Sequence, residues 1–307
     1  MVKRWDASLK GHLSLLVAYI IFGLSAPIAK SVMMQGEVDP LSLTFFRMAG
    51  ASLLLWSVSP FAPRERVNRK DLLLLLGASV FGVATNQICY IVGLSKTSPV
   101  DASLIVTLGP IITMLIAAVY LKEPITFKKV LGVFVGASGV LLLILTGIET
   151  LNGASHTMGN LLCLASSLSF AIYLTVFRDV IRRYSSITVM KWMFLYAVII
   201  CAPFCYRNVS GIEYETLSAV VWLQIAFVVC CATFISYLLL PVGQKRLRPT
   251  IVSMYNYTQP VVSSVVAVTM GLDVFGWSKG VSAVLVFLGV YIVTRSKSRA
   301  QVEAGVK

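Results

Sequence analysis

Apolar runs of eighteen or more residues recur along the whole chain, separated by short segments that hold nearly all of its charge. A run of that length, wound as a helix rising about 1.5 Å per residue, crosses roughly 30 Å of hydrocarbon. A water-soluble fold could not hide so much apolar surface. Of the 307 residues, 57% are hydrophobic and 13% charged, whereas a soluble domain carries about a quarter charged residues. The pattern predicts an all-α integral membrane protein with ten transmembrane helices, at 11–33, 40–59, 71–94, 98–120, 127–146, 157–177, 187–205, 217–240, 249–271 and 277–294. The run from Leu13 to Val32 is too long for a signal peptide and shows no small-residue cleavage site, so it is expected to be retained as the first span.

The formal charge of +13 would raise the question of nucleic acid in a soluble protein. Here the cations sit between spans, and no nucleic-acid-binding motif is present. With the N-terminus in the cytoplasm, 21 of the 26 Lys and Arg residues fall on the cytoplasmic side, and only Lys30, Lys96, Arg207 and Lys279 fall outside. That bias predicts both termini inside. Arg47 alone lies within a span. The six cysteines all lie in apolar runs with no CxxC pair, which predicts neither disulfides nor a metal site.

The chain also repeats itself. At an offset of 150 residues, Val92-Gly93 meets Val242-Gly243, Pro99 meets Pro249, Ser103 meets Ser253, Pro110 meets Pro260 and Gly139-Val140 meets Gly289-Val290. Glu123 meets Asp273 and Lys129 meets Lys279. Near the front, an offset of 148 residues matches Gly11 to Gly159 and Phe22 to Phe170. Five spans per repeat is an odd number, so the second copy, 149–307, must enter the membrane the opposite way up from the first, 1–148. Two inverted five-helix repeats around a central cavity are an architecture of alternating-access transporters, with the binding site near the midplane.

Several segments carry a resemblance to a known family. They are Phe46-Arg47, Val92-Gly93-Leu94 through Pro99 into Ala102-Ser103, Gly109-Pro110, Leu121-Lys122-Glu123-Pro124, and Ser253 through Pro260. The chain resembles the EamA family of the drug/metabolite transporter superfamily over nearly its whole length. The second copy departs from the pattern at Asp273-Val274, where the acidic-proline pair is incomplete. The resemblance implies a bacterial or archaeal inner-membrane carrier of amino acids, other metabolites or drugs, often outward. Spans one to four and six to nine would surround the cavity, with five and ten at the periphery.

Polar groups inside a span are costly unless they face protein, water or a substrate. The candidate cavity residues are Tyr19, Asn86, Tyr90, Ser103, Thr107, Tyr173, Tyr237, Asn256 and Gln259. Against each stands a role in helix packing, where a buried amide contributes about 0.6–2 kcal/mol as interhelical glue. Pro110 and Pro260 each free a backbone carbonyl one turn earlier and are candidate hinges. Arg47 is placed with them as a gating residue. A cation at the bilayer centre costs about 2.5–3.5 kcal/mol, so it must pair, snorkel or meet an anionic ligand. Asp101 is one candidate partner, although a solvated helix-start carboxylate is the plainer reading of that residue. Glu123, Asp179 and Asp273 read as loop charges, and His12 and His156 as span-start residues.

The expected function is a secondary transporter of neutral, zwitterionic or aromatic small molecules, without a cofactor, with the lipid bilayer as its other partner. A homodimer is left open. No nucleotide-binding loop, GxSxG or HExxH is present. The alternatives are an intramembrane enzyme on a lipid-linked substrate, with Arg47 and Asp101 as its only candidate groups, and a passive channel, for which no filter motif is found.

Overall fold

The computed structural model describes residues 2–120, 126–148, 153–244, 255, 258–274 and 276–294. Among these residues every regular element is helical: α1 (Val2–Met34), α2 (Pro40–Val58), α3 (Arg69–Ser79), α4 (Asn86–Lys96), α5 (Pro99–Val106), α6 (Gly109–Tyr120), α7 (Phe127–Ile148), α8 (Gly153–Val176), α9 (Arg178–Arg183), α10 (Ser186–Ser210), α11 (Ala219–Ala226), α12 (Ser236–Gln244), α13 (Thr258–Thr269) and α14 (Trp277–Thr294). Seven described stretches are long and apolar enough to cross a bilayer: Leu9–Met34, Pro40–Phe61, Arg69–Lys96, Pro99–Tyr120, Ser155–Val176, Ser186–Ser210 and Ala219–Leu240. The remaining three expected spans contain shorter apolar helices, Val130–Leu142, Thr258–Thr269 and Trp277–Ile292. The structure therefore supports a multi-pass helical membrane protein, with seven full-length spans among the described residues against ten expected.

Local chemistry sets the helix starts. Asp39 accepts hydrogen bonds from the Leu41 and Ser42 N–H groups, and Pro40, which has no N–H to lose, takes the first helical position of α2. Ser98 and Pro99 repeat the device at α5. The matching Pro249 lies outside the described residues. The span from Pro99 to Tyr120 breaks in the middle: α5 ends at Val106, and α6 restarts at Gly109-Pro110. At the far end of α13, Gly271 adopts a φ of +67°, which lets the Leu272 N–H return to the Ala267 carbonyl at 2.9 Å.

Two spans contain a wider turn. Val80–Thr85 joins α3 to α4, and Phe227–Ile235 joins α11 to α12, each as a π-helical segment within an otherwise continuous helix. Hydroxyls follow the looser register: Thr233 bonds the Val228 carbonyl at 2.9 Å and Ser236 the Cys231 carbonyl at 3.0 Å, five residues back in each case. Such segments displace side chains from the ordinary helical faces and recur at functional sites.

Helix pairing is close wherever glycine removes a side chain. α7 packs along α14, α2 along α10, α1 against α12 and α13, and α8 against α4 and α6. A methyl group placed on Gly289 would lie 2.6 Å from the Gly132 carbonyl oxygen, and one on Gly139 would lie 2.9 Å from that of Ser282. Between α4 and α8, a methyl group on Gly93 would sit 2.8 Å from the Gly159 carbonyl oxygen, and one on Gly159 would sit 2.8 Å from that of Gly93. Backbones this near gain dispersion contact that larger residues would forbid, which is how helices associate in lipid.

One end of the bundle is tied by a loop carboxylate. Glu65 accepts the Ser185 N–H at 2.9 Å and the Ser185 hydroxyl at 3.0 Å, at the positive start of α10. Beside it, Asp71 accepts from Arg183 at 2.8 Å and from the Tyr184 hydroxyl at 2.8 Å. Burial alone would raise the Glu65 carboxyl. Hydrogen bonds from Thr188 and Ser185, with the charge of Lys191, outweigh it and hold the group below the ordinary carboxylate range.

Two outcomes follow for the purified protein in detergent. Gly289→Val should lower the melting temperature by an amount corresponding to about 1–3 kcal/mol of overpacking, whereas Gly276→Ala, with only the Ser278 hydroxyl oxygen 3.9 Å away, should change it little. Because the folded Glu65 is the stronger acid, its contribution is complete above the ordinary glutamate range and fades as the pH falls through and below it. Glu65→Gln should therefore be less stable than the parent at neutral pH, with the gap closing in acid.

Candidate functional site

Gly50 opens the way to the most unusual side chain in the molecule. A Cβ there would run into Val229, so α2 lies directly on the Phe227–Ile235 π segment. One turn earlier on α2, Arg47 is 6% exposed. Its Nε donates to the Thr233 hydroxyl at 3.2 Å, and its Nη1 is buried with no partner. The phenols of Tyr237 and Tyr90 are its electrostatic neighbours. No carboxylate forms an ion pair with Arg47 among the described residues. One turn before Tyr90 on the same face of α4, Gln87 is 2% exposed, and neither its oxygen nor its nitrogen has a partner.

Aromatic rings lead to this point. His12 Nδ1 lies 2.8 Å from the Tyr255 hydroxyl. Tyr255 stacks on Tyr19 at 6.5 Å, Tyr19 meets Phe22 edge-on at 6.0 Å, and Phe22 meets Tyr237 edge-on at 6.3 Å. Tyr237 in turn meets Phe194 at 5.6 Å and has Tyr173 as an electrostatic neighbour. Of the candidate cavity residues, Tyr19 and Tyr237 lie on this chain of rings, while Tyr90 is an electrostatic neighbour of Arg47 and Tyr173 one of Tyr237.

The other candidates are placed differently. Asn86 donates through Nδ2 to the Ser166 carbonyl and hydroxyl at 3.0 and 2.9 Å, bridging α4 to α8. Ser103 and Thr107 return their hydroxyl protons to carbonyls of their own helix, Val100 and Ser103, both at 2.8 Å. Gln259 is half-buried, and its carbonyl oxygen lies 3.0 Å from where a methyl group on Gly23 of α1 would stand. Pro110 sits at the break between α5 and α6. Asn256, with Ser253 and Glu123, lies outside the described residues. Pro260 lines a groove of about 530 Å³ with Leu104, Val265 and Phe287. The Ser264 and Thr269 hydroxyls in its wall are bonded to Pro260 and Val266 carbonyls, so the groove has little with which to orient a polar solute.

Asp101 is neither solvated nor the partner of Arg47. It is 2% exposed and lies 3.2 Å from His156 Nε2 and 3.5 Å from Lys279 Nζ. Lys279 also pairs with Asp273 and donates to the Ser98 hydroxyl at 3.2 Å. Asp273 is therefore an ion-pair member rather than a plain loop charge, while Asp179 is exposed on α9. Lys30 donates to the carbonyls of Leu94, Ser95 and Thr97 at 3.0, 2.7 and 3.0 Å, capping the C-terminus of α4. The Thr97 hydroxyl donates to Asn160 at 2.5 Å. This cluster ties together the end of α1, the α4–α5 turn and the starts of α8 and α14. Its assembly was hidden in the sequence because its members are far apart; the spacing of His156 and Asn160 by one helical turn was the available signal.

Comparison with known proteins follows the same lines. The model of the EamA-like transporter family matches twice, over residues 9–145 and 157–295, and the chain belongs to that family. It is 26% identical over 280 residues to the uncharacterized transporter YyaM of Bacillus subtilis, covering 90% of this chain and 91% of that protein. It is 24% identical to the uncharacterized inner membrane transporter YicL of Salmonella typhimurium, over 85% of this chain and 87% of that one. A probable terminal-alkyne amino-acid exporter of Streptantibioticus cattleyicolor is 23% identical over 59% of each chain. A solved crystal structure shares the fold with a TM-score of 0.63 over 94% of this chain and 97% of that one, at 18% identity. The protein is thus a transporter of the drug/metabolite type rather than an enzyme.

The polar cluster makes a measurable claim. In a double-mutant cycle of Asp101→Asn and His156→Gln, melting of the purified protein should show a coupling of about 0.5–3 kcal/mol, as expected for residues in one network. Strict additivity would show that the two do not interact.

Proposed function

We propose that the chain is a secondary transporter that exports small metabolites, such as amino acids or drug-like compounds, by alternating access between two inverted five-helix repeats, 1–148 and 149–307. It would work in a bacterial or archaeal inner membrane with both termini in the cytoplasm. The observation that carries this reading is that helix contacts recur in pairs at the repeat offsets. Gly139 approaches Ser282 as Gly289 approaches Gly132, and Gly93 approaches Cys163 as Gly243 approaches Leu15. The π segments also correspond, since Val80–Thr85 shifted by 150 residues falls within Phe227–Ile235. The double match of the family model supports the same division.

Two near-equivalent halves have two near-equivalent ways to meet. In this reading the Lys30, Asp101, His156 and Lys279 cluster is the outer gate, drawn shut. Its bonds join both halves, so opening outward must exchange them for water. The break at Gly109-Pro110 supplies a hinge beside it. The export direction is supported by the relative named as an amino-acid exporter.

The test is counterflow in proteoliposomes with cysteines introduced at Thr97 and Asn160 in a cysteine-free background. Cross-linking them should stop saturable counterflow of radiolabelled amino acid, and reduction should restore it. Undiminished counterflow with the outer end fully cross-linked would rule out alternating access through that gate, and non-saturable flux would favour a channel.

A further inference from the structure

The cation at the middle of the aromatic path has no counter-charge. A guanidinium offers five N–H donors in a fixed fork. Here Nε reaches a neutral hydroxyl, and Nη1 reaches nothing although it is sealed from solvent. Leaving a buried charge unpaired is among the costliest arrangements a protein can hold, and more so in a bilayer. A purely structural arginine would be expected to come with an acidic partner, as Arg183 does with Asp71 and Lys279 with Asp101 and Asp273. The aromatic side chains around it supply apolar faces but no compensating carboxylate. On the neighbouring helix, the Gln87 amide presents both a donor and an acceptor and, alone among the described residues that carry buried unpartnered atoms, has neither of its two polar atoms bonded although both are sealed from solvent.

We propose that Arg47 is the seat of the transported substrate's carboxylate, and that the substrates are monocarboxylates with an aromatic or apolar body. This deepens, and rests on, the transporter reading above. The fork binds a carboxylate through parallel N–H bonds that are shorter and about twice as strong as neutral ones. One guanidinium balances one negative charge, which excludes polyanions, since the described residues place no second cation beside it. Tyr19, Phe22 and Tyr237 touch one another in a row that ends beside Arg47, and would give the body of the molecule apolar faces to pack on. Thr233, held by its own bond to the Val228 carbonyl, keeps the fork oriented when the site is empty. A carboxylate arriving at Arg47 removes an existing penalty, so binding is favoured by the same charge that makes the empty site unstable.

The experiment measures melting of the purified full chain with four probes: L-phenylalanine, 3-phenylpropionate and the amide of each. Both carboxylates should raise the melting temperature of the parent saturably, with apparent affinities at least tenfold tighter than those of their amides. The difference between the two carboxylates reports whether a zwitterion or a simple acid is preferred. Arg47→Met should remove the preference for carboxylate over amide while keeping the melting temperature of the empty protein equal or higher, because it deletes an unpaired buried charge. Arg47→Lys, which keeps the charge without the fork, should retain a preference weakened about tenfold. Thr233→Val, which keeps the guanidinium and removes only the hydroxyl that orients it, should weaken the preference without abolishing it. If neither carboxylate binds, if the amides bind as well, or if the preference survives Arg47→Met, the assignment is wrong. Counterflow of the same probes separates the two readings. Carboxylate-selective binding without counterflow would leave the anion seat standing and remove the transporter, whereas counterflow without carboxylate preference would do the reverse.

Discussion

A helix in hydrocarbon satisfies its own backbone, so apart from a few side-chain bonds such as that of Asn86 to Ser166, neither hydrogen bonding nor hydrophobic burial tells one helix where to lie on another. What remains is closeness of approach. In this chain glycine sets it at several principal crossings: Gly289 and Gly139 between α7 and α14, Gly93 and Gly159 between α4 and α8, Gly50 between α2 and the Phe227–Ile235 segment, and Gly23 between α1 and α13. Everything else is arranged on that frame. Arg47 meets Thr233 because Gly50, one turn away, lets the two backbones come together.

The frame divides the polar groups into two populations with opposite character. At one end of the bundle, Lys30, Asp101, His156, Lys279 and Asp273 largely neutralise one another, and backbone carbonyls take up the remaining donors of Lys30. Buried atoms without a hydrogen-bond partner occur in both places, on Asp101, His156 and Asp273 here and on Arg47 and Gln87 deeper in, but only Arg47 is a charge with no opposite charge paired to it among the described residues. A balanced network suits a contact made and broken during a cycle, since each partner has water to exchange with at the surface. An incomplete one suits a place where a solute is to be received.

Periodicity and composition already contained the membrane-spanning character, the helix starts at Pro40 and Pro99 and the break at Pro110. These depend on local rules: run length against bilayer thickness, and the missing proline N–H. The site was legible only in part. Of the four tyrosines expected near the cavity, Tyr19 and Tyr237 share one chain of ring contacts through Phe22, a meeting across helices that no local pattern in the sequence encodes. Of the neighbours Asn86 and Gln87, only Asn86 is a candidate in the sequence, and the structure sets the two apart in another way. Asn86 spans two helices as an adhesive, while Gln87 is buried without partners. The two residues differ by a rotation of one position about the helix, and the π-helical segment just before them shifts that rotation in a way no ordinary helical wheel anticipates.

The amino-acid order by itself determined that this chain is a multi-pass helical membrane protein, because hydrocarbon thickness and backbone satisfaction permit no other use of such runs, and its likeness to EamA-like transporters is likewise a property of the sequence. Only the tertiary structure decided who meets whom. Asp101 found His156 and Lys279 instead of Arg47, although Arg47 and Asp101 are the pair a reader of the sequence would join. The reason is geometric: Asp101 sits at the very start of its helix, level with the starts of α8 and α14, while Arg47 lies two turns into α2. Depth in the membrane, set by helix packing, separated the charges that complementarity alone would have paired.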